Sequence, residues 1–236
     1  MYFGIDWTYI VLVLPAMLLA MLASWSVNHT FEKYSELLSS RGITGAQAAR
    51  MVLDANGLQH IPVCPIAGSL TDHYDPTTST INLSQTVYGS TSCAAIGVAC
   101  HECGHAIQHA TDYLPIRIRS AIIPITNLGS RLAVPLILIG ILLSAISAKF
   151  AVIAYLGIAC FALSAVFQLV TLPTEFDASH RALRTIEEAN LLSGDEFSAA
   201  KKVLRAAAMT YVAALGVSLA QLLRFIILVG GRSNRR

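Results

Sequence analysis

Charge is scarce in this chain. Of its 236 residues, 13% are Asp, Glu, Lys or Arg and 55% are hydrophobic. A soluble domain carries about 25% charged and about 45–50% apolar residues. The shortage excludes intrinsic disorder, which needs low hydrophobicity and high charge, and it argues against an ordinary soluble enzyme. Neither sign of charge dominates: the formal net charge is +2, which gives no case for a nucleic-acid partner. Cysteine is sparse as well. There are five, an odd number, and Cys93, Cys100 and Cys103 fall on one expected helix, so no disulfide framework is expected. No repeat or low-complexity segment stands out.

The gaps between charges locate the apolar runs. A bilayer span needs ~20 mostly apolar residues, and four stretches qualify, roughly 9–27, 132–148, 150–172 and 207–229. The rival reading of 132–172 is a buried hairpin of core helices. The first run lacks a basic leader and an Ala-x-Ala cleavage site, so it reads as a retained anchor rather than a signal peptide. Pro15 and Pro135 are tolerable inside membrane helices. Gln221 and Arg224 are polar within the last run, and Arg224 is close enough to its end to snorkel.

The expected organisation is an anchor over 1–27, a polar catalytic part over 28–131, a transmembrane hairpin over 132–172, a second polar part over 173–206, and a last span with a basic tail over 207–236. Most Lys and Arg lie in the two polar parts, which places them in the cytoplasm. The tail residues Arg232, Arg235 and Arg236 point the other way.

Within the first polar part, residues 30–42 read as a helix ended by Gly42. A second helix follows, with Thr44 as N-cap and Gly57 just past its end. Residues 61–89 are β-branched and broken by Gly, Pro and Asp, which predicts a small antiparallel hairpin or meander turning at Asp75-Pro76-Thr77-Thr78. The segment INLSQ reads as an edge that could add a peptide strand. Ser90-Thr91-Ser92 then caps a helix through residue 110. After it, residues 116–132 are amphipathic and basic, suited to the membrane interface.

His101-Glu102-Cys103-Gly104-His105 is HExxH on that capped helix. Residues four apart share a helix face, so both imidazoles can bind one ion. Glu102 lies about 100° round, placed to act as general base in metal-assisted hydrolysis. Zinc takes about four ligands, and a catalytic site keeps one position for water, so a third protein ligand is needed. His109 is a turn too far along, and Cys100 and Cys103 read as small buried residues. Glu175 is the better candidate, with Asp177 the runner-up. Both open PTEFDASHRALRTIEEA, where Pro173 suits a first helical turn. Ser179 shares the face of Glu175. Candidate oxyanion donors are His73, otherwise a turn-stabilising hydrogen bonder, and Tyr211, otherwise an interfacial anchor.

The stretches ITGAQAARMVLDANGL, LTDHYDP, LSQTVYG, AAIGVACHECGHAIQHA, PTEFDASHRAL and KKVLRAAAMTYVAAL together resemble the YugP-type family of neutral zinc metallopeptidases of bacterial membranes. The resemblance spans Ile43 to Leu215. It implies a gluzincin-type membrane hydrolase binding Zn2+ through His101, His105 and a downstream acid. A more distant likeness is to HtpX-like and CAAX-prenyl proteases, in which an Asp follows the ligand glutamate by four residues; here that position is Ser179. The expected fold is a mainly α integral membrane protein of about four transmembrane helices with a zincin-like α+β core. The expected activity is peptide-bond hydrolysis of a membrane protein or peptide at the bacterial inner membrane. A non-catalytic zinc-binding membrane scaffold is the alternative, and a transporter fits the long polar part poorly.

Overall fold

The charge-free runs fold as long helices. In a computed structural model the described residues are 6–233, and four helices are long and apolar enough to cross a membrane: Tyr9–Ser35, Leu114–Leu143, Ala148–Glu188 and Gly194–Gly231. Arg235 and Arg236 of the basic tail lie outside the described residues. A π-helical turn, Tyr9–Val13, leads into α1 (Leu14–Ser35). The other three are α5 (Leu114–Leu143), α6 (Ala151–Glu188) and α7 (Gly194–Ser233). Large side chains such as Leu142 (66% exposed), Val152 (67%) and Leu169 (59%) stand out from α5 and α6, which a hairpin buried in a core would not permit.

Three sequence expectations change here. The helix over 30–42 does not exist separately: α1 runs on to Ser35, and Leu38 then bridges to Ser92. The interfacial helix over 116–132 is the first half of α5, with Pro124 and Pro135 inside it. Pro173 starts nothing and lies inside α6. The last two share a reason: breaking a helix leaves up to four C=O groups at the end of one piece and up to four N–H groups at the start of the next without partners. Running on across a proline forfeits about one such bond.

The chain forms two compact units, Met1–Leu22 with Ile118–Leu172 and Tyr211–Arg236, and Ala23–Arg117 with Pro173–Thr210. In the first, apolar unit, glycines let helices approach. A Cβ at Gly140 would stand 2.2 Å from the Ala154 nitrogen, and one at Gly157 would stand 2.7 Å from the Ile137 nitrogen. Small residues serve this purpose where lipid removes the hydrophobic drive between helices. Phe161 meets Phe225 edge-on at 5.1 Å. Arg224 does not simply snorkel. Its Nη2 donates to Asp6 Oδ2 at 3.0 Å, and its guanidinium lies 5.2 Å from the Tyr9 ring centroid.

The second, polar unit is built around α4 (Cys93–Ala110), capped by Ser92 Oγ accepting from the Ala95 N–H. α2 (Gly45–Ala55) packs on it through a core that includes Val52, Leu53 and Ile96, all fully buried. Thr44 and Gln47 form a reciprocal capping box at the start of α2, and Gly57 sits at φ +74°, open to glycine without strain. β1 (Val63–Ile66), β2 (His73–Asp75) and β3 (Thr80–Ser84) form a sheet in the order β1-β3-β2.

The expected antiparallel sheet is mixed. β2 pairs antiparallel with β3, but β1 runs parallel to it, because residues 67–72 carry the chain across to the far side of β3 and β2 makes the return. INLSQ is therefore not an edge. Its strand is the central one, its ladder groups occupied on both sides. The following residues form a helical turn, α3 (Gln85–Tyr88). Arg41 donates to the carbonyls of Ala189 and Asn190 at the end of α6.

Candidate metal centre

α4 stacks His101 and His105 one turn apart, their ring centroids 4.8 Å from each other and nearly perpendicular. α6 supplies the third group. Glu175 Oε2 lies 3.3 Å from His101 Nε2 and 3.5 Å from His105 Nε2, and the ligand atoms of the three residues all fall within 4.8 Å of one another. Glu175 is 2% exposed and His105 9%. The close approach of α6 depends on Gly104. A Cβ there would sit 2.5 Å from the Ala178 carbonyl oxygen, so any side chain between the two histidines would push away the helix that carries Glu175.

Three donors of this chemistry fit zinc, which binds imidazole nitrogen and carboxylate oxygen. Ligands held about 2.0–2.1 Å from a tetrahedral ion are about 3.3 Å from each other, and the two histidine–carboxylate separations match that edge.

The outer ring nitrogens are also engaged. Gln108, fully buried one turn beyond His105, donates from Nε2 to the Thr174 carbonyl (2.7 Å) and to Asp177 Oδ2 (2.8 Å). Both amide hydrogens are thereby used, so the atom facing His105 is Oε1, which only accepts. His105 must donate from Nδ1 across 3.0 Å, which leaves its Nε2 lone pair directed at Glu175. His101 Nδ1 lies 3.1 Å from Ser179 Oγ. Such partners fix the tautomer and orientation of a ligating imidazole. Burial alone would disfavour the charged form of His105, but only that form carries a proton on Nε2 to donate to Glu175, and this bond, with Glu102 and Gln108 adding, outweighs burial and raises the pKa above its usual value.

Asp177 does not join the cluster. Its Oδ2 accepts from Gln108 and, at 2.6 Å, from Arg181 Nε. Glu102 is 8% exposed, and its Oε2 accepts the Tyr74 backbone N–H at 3.0 Å, so β2 holds the carboxylate. His73 is exposed, with Nδ1 2.9 Å from the Thr71 carbonyl and Nε2 3.3 Å from Asn82 Nδ2. Its ring is occupied within the sheet. Tyr211 lies on α7 in the other unit, half-buried. Cys100 and Cys103 are fully buried, and desolvation pushes the Cys100 thiol up to about 12 and Cys103 well above its usual value, as suits packing residues rather than thiolate ligands.

Sequence reasoning missed Gln108, the Tyr74 amide and the role of Gly104. The first carried a signal: Gln108 stands at i+3 from His105, and a glutamine on a buried helix face is costly without partners.

The profile of the family described as "Putative neutral zinc metallopeptidase" matches residues 9–230. The "Putative membrane protease YugP" of Bacillus subtilis (strain 168) is 45% identical over 227 residues, which is 96% of this chain and 99% of that relative. No solved structure matches the chain.

Proposed function

The chain belongs to this family of neutral zinc metallopeptidases, and we propose that it is a membrane-embedded endopeptidase of the gluzincin type, with His101, His105 and Glu175 as zinc ligands. The observation that carries the reading is the convergence of those three ligand atoms beside a buried, oriented Glu102. When bound, zinc polarises a carbonyl and brings the pKa of water toward neutrality. Glu102 accepts the proton of the attacking water and passes it to the leaving amine. The Tyr74 amide fixes one of its oxygens and leaves the other for this exchange. Gln108 holds His105 in the tautomer that ligation requires, and Ser179 orients the ring of His101. Neither His73 nor Tyr211 is needed for these steps. The mixed sheet beside α4 is the zincin-like core of this reading. Substrates are membrane proteins or peptides, cut at the cytoplasmic face of the inner membrane, where the lysines and arginines of the polar parts put the site.

The test pairs zinc content with cleavage. Detergent-purified wild type and Glu102→Gln should both hold about one zinc, and the variant should cleave casein or a membrane substrate about 10²–10⁴-fold more slowly. Zinc in both with cleavage by neither would favour the scaffold, and zinc in neither would remove the reading.

A further inference from the structure

A groove in the polar unit, formed by α1 and α7, has no part in that chemistry. It encloses about 380 Å³ and is lined by Lys33, Tyr34, Lys202, Arg205 and Met209 among others. Lys33 Nζ lies 5.5 Å and Lys202 Nζ 5.7 Å from the centroid of the Tyr34 ring, so cations from two helices bracket one aromatic. Like charges so placed repel, yet among the described residues none of Lys33, Lys202 and Arg205 makes an ion pair with an acid. The nearest acid in sequence, Glu32, lines a different groove with Phe31 and Ser35. The site is a concentration of positive charge that the chain itself does not neutralise.

Its level on the helices says what neutralises it. α1 has no Asp, Glu, Lys or Arg between Asp6 and Glu32, and α7 has none between Arg205 and Arg224. The groove therefore lies where both helices pass from charged to apolar sequence. Exposed apolar surface continues from it on the apolar side: Met209 is 47% exposed, and Trp25 is 64% exposed and stacks on His29 at 5.1 Å and 3°. Tryptophan in such a position marks the headgroup level of a bilayer. We propose that this groove binds the headgroup of an anionic phospholipid, its phosphate received by Lys33, Lys202 and Arg205 and its acyl chains lying along Trp25 and Met209. An acidic peptide could meet the charge but would gain nothing from the apolar continuation, whereas basic pockets between helices at this depth suit a lipid phosphate.

Trp25 reports on the site directly. In a Trp7→Phe background, reconstituted into phosphatidylcholine vesicles, Trp25 fluorescence should be quenched by acyl-brominated phosphatidylglycerol at about a tenth of the mole fraction needed of brominated phosphatidylcholine. Combining Lys33→Gln, Lys202→Gln and Arg205→Gln should abolish that preference while leaving helical circular dichroism unchanged. In the unaltered groove, raising the salt to 1 M should weaken it. Equal quenching by the two lipids, or a preference that survives the three substitutions or is displaced by a soluble acidic peptide, overturns the proposal. The readout needs neither zinc nor cleavage, so it stands apart from the peptidase reading.

Discussion

The unit around α4 and the unit of apolar helices hold their closest contacts in different ways. Around the histidines, buried polar atoms are wired to one another: Glu175 to two imidazoles, Gln108 to His105, Thr174 and Asp177, and Asp177 to Arg181. Among the apolar helices, contact is made by absence of side chain, at Gly140 against Ala154 and Gly157 against Ile137, and Asp6 pairs with Arg224. The first arrangement orients reactive groups and fails when one hydrogen-bond partner is lost. The second fixes helix separation and fails when volume is added. Substitutions should therefore sort by unit, chemical in one and mechanical in the other.

The sharpest break comes from Glu175→Ala. It removes one of three ligand groups, so zinc measured after dialysis should fall from about one per chain to a trace, with helical content retained. Asp177→Asn in the same assay should retain zinc; its loss would redraw the site. Gln108→Leu comes next. Without its amide nothing holds the His105 tautomer, and zinc affinity measured by competition with a chelator should weaken about 10–100-fold. In the apolar unit, Gly157→Val should cost about 1–3 kcal/mol by overpacking, read as a lower thermal midpoint in detergent at saturating zinc. Unchanged stability would mean that the helices separate there without penalty. Arg224→Leu should cost less, about 1 kcal/mol, since the Asp6–Arg224 pair keeps some solvent. The smallest effect is expected at Tyr211→Phe, which should leave turnover unchanged.

The sequence was readable where the rule is local. Four apolar runs, the Thr44 and Ser92 caps and the HExxH spacing are all written within a few residues of where they act. It was unreadable where a rule depends on continuation. Gly42 and Pro173 are credible helix boundaries by local preference, yet α1 stops at Ser35, before the first, where the chain turns to bridge Leu38 with Ser92, and α6 runs through the second, because intrahelical hydrogen bonding outweighs one proline in a long apolar helix. Strand pairing was unreadable for a related reason: the parallel β1–β3 ladder depends on where residues 67–72 lead the chain. At the site, the histidines and Glu102 were legible from spacing. The choice between Glu175 and Asp177 turned on Gln108 and Arg181, partners 69 and 4 residues from Asp177, and no pattern in the chain announces the first of these.

Written as a pattern, HExxH has two free letters. In this chain neither is free. Cys103 is enclosed, its Sγ 3.5 Å from the Ala49 carbonyl, and Gly104 has no room for a methyl group beside Ala178. A saturation library across residues 101–105 should therefore return functional variants almost solely at 103, and those only with small side chains. What reads as three fixed letters and two blanks behaves here as a word of five.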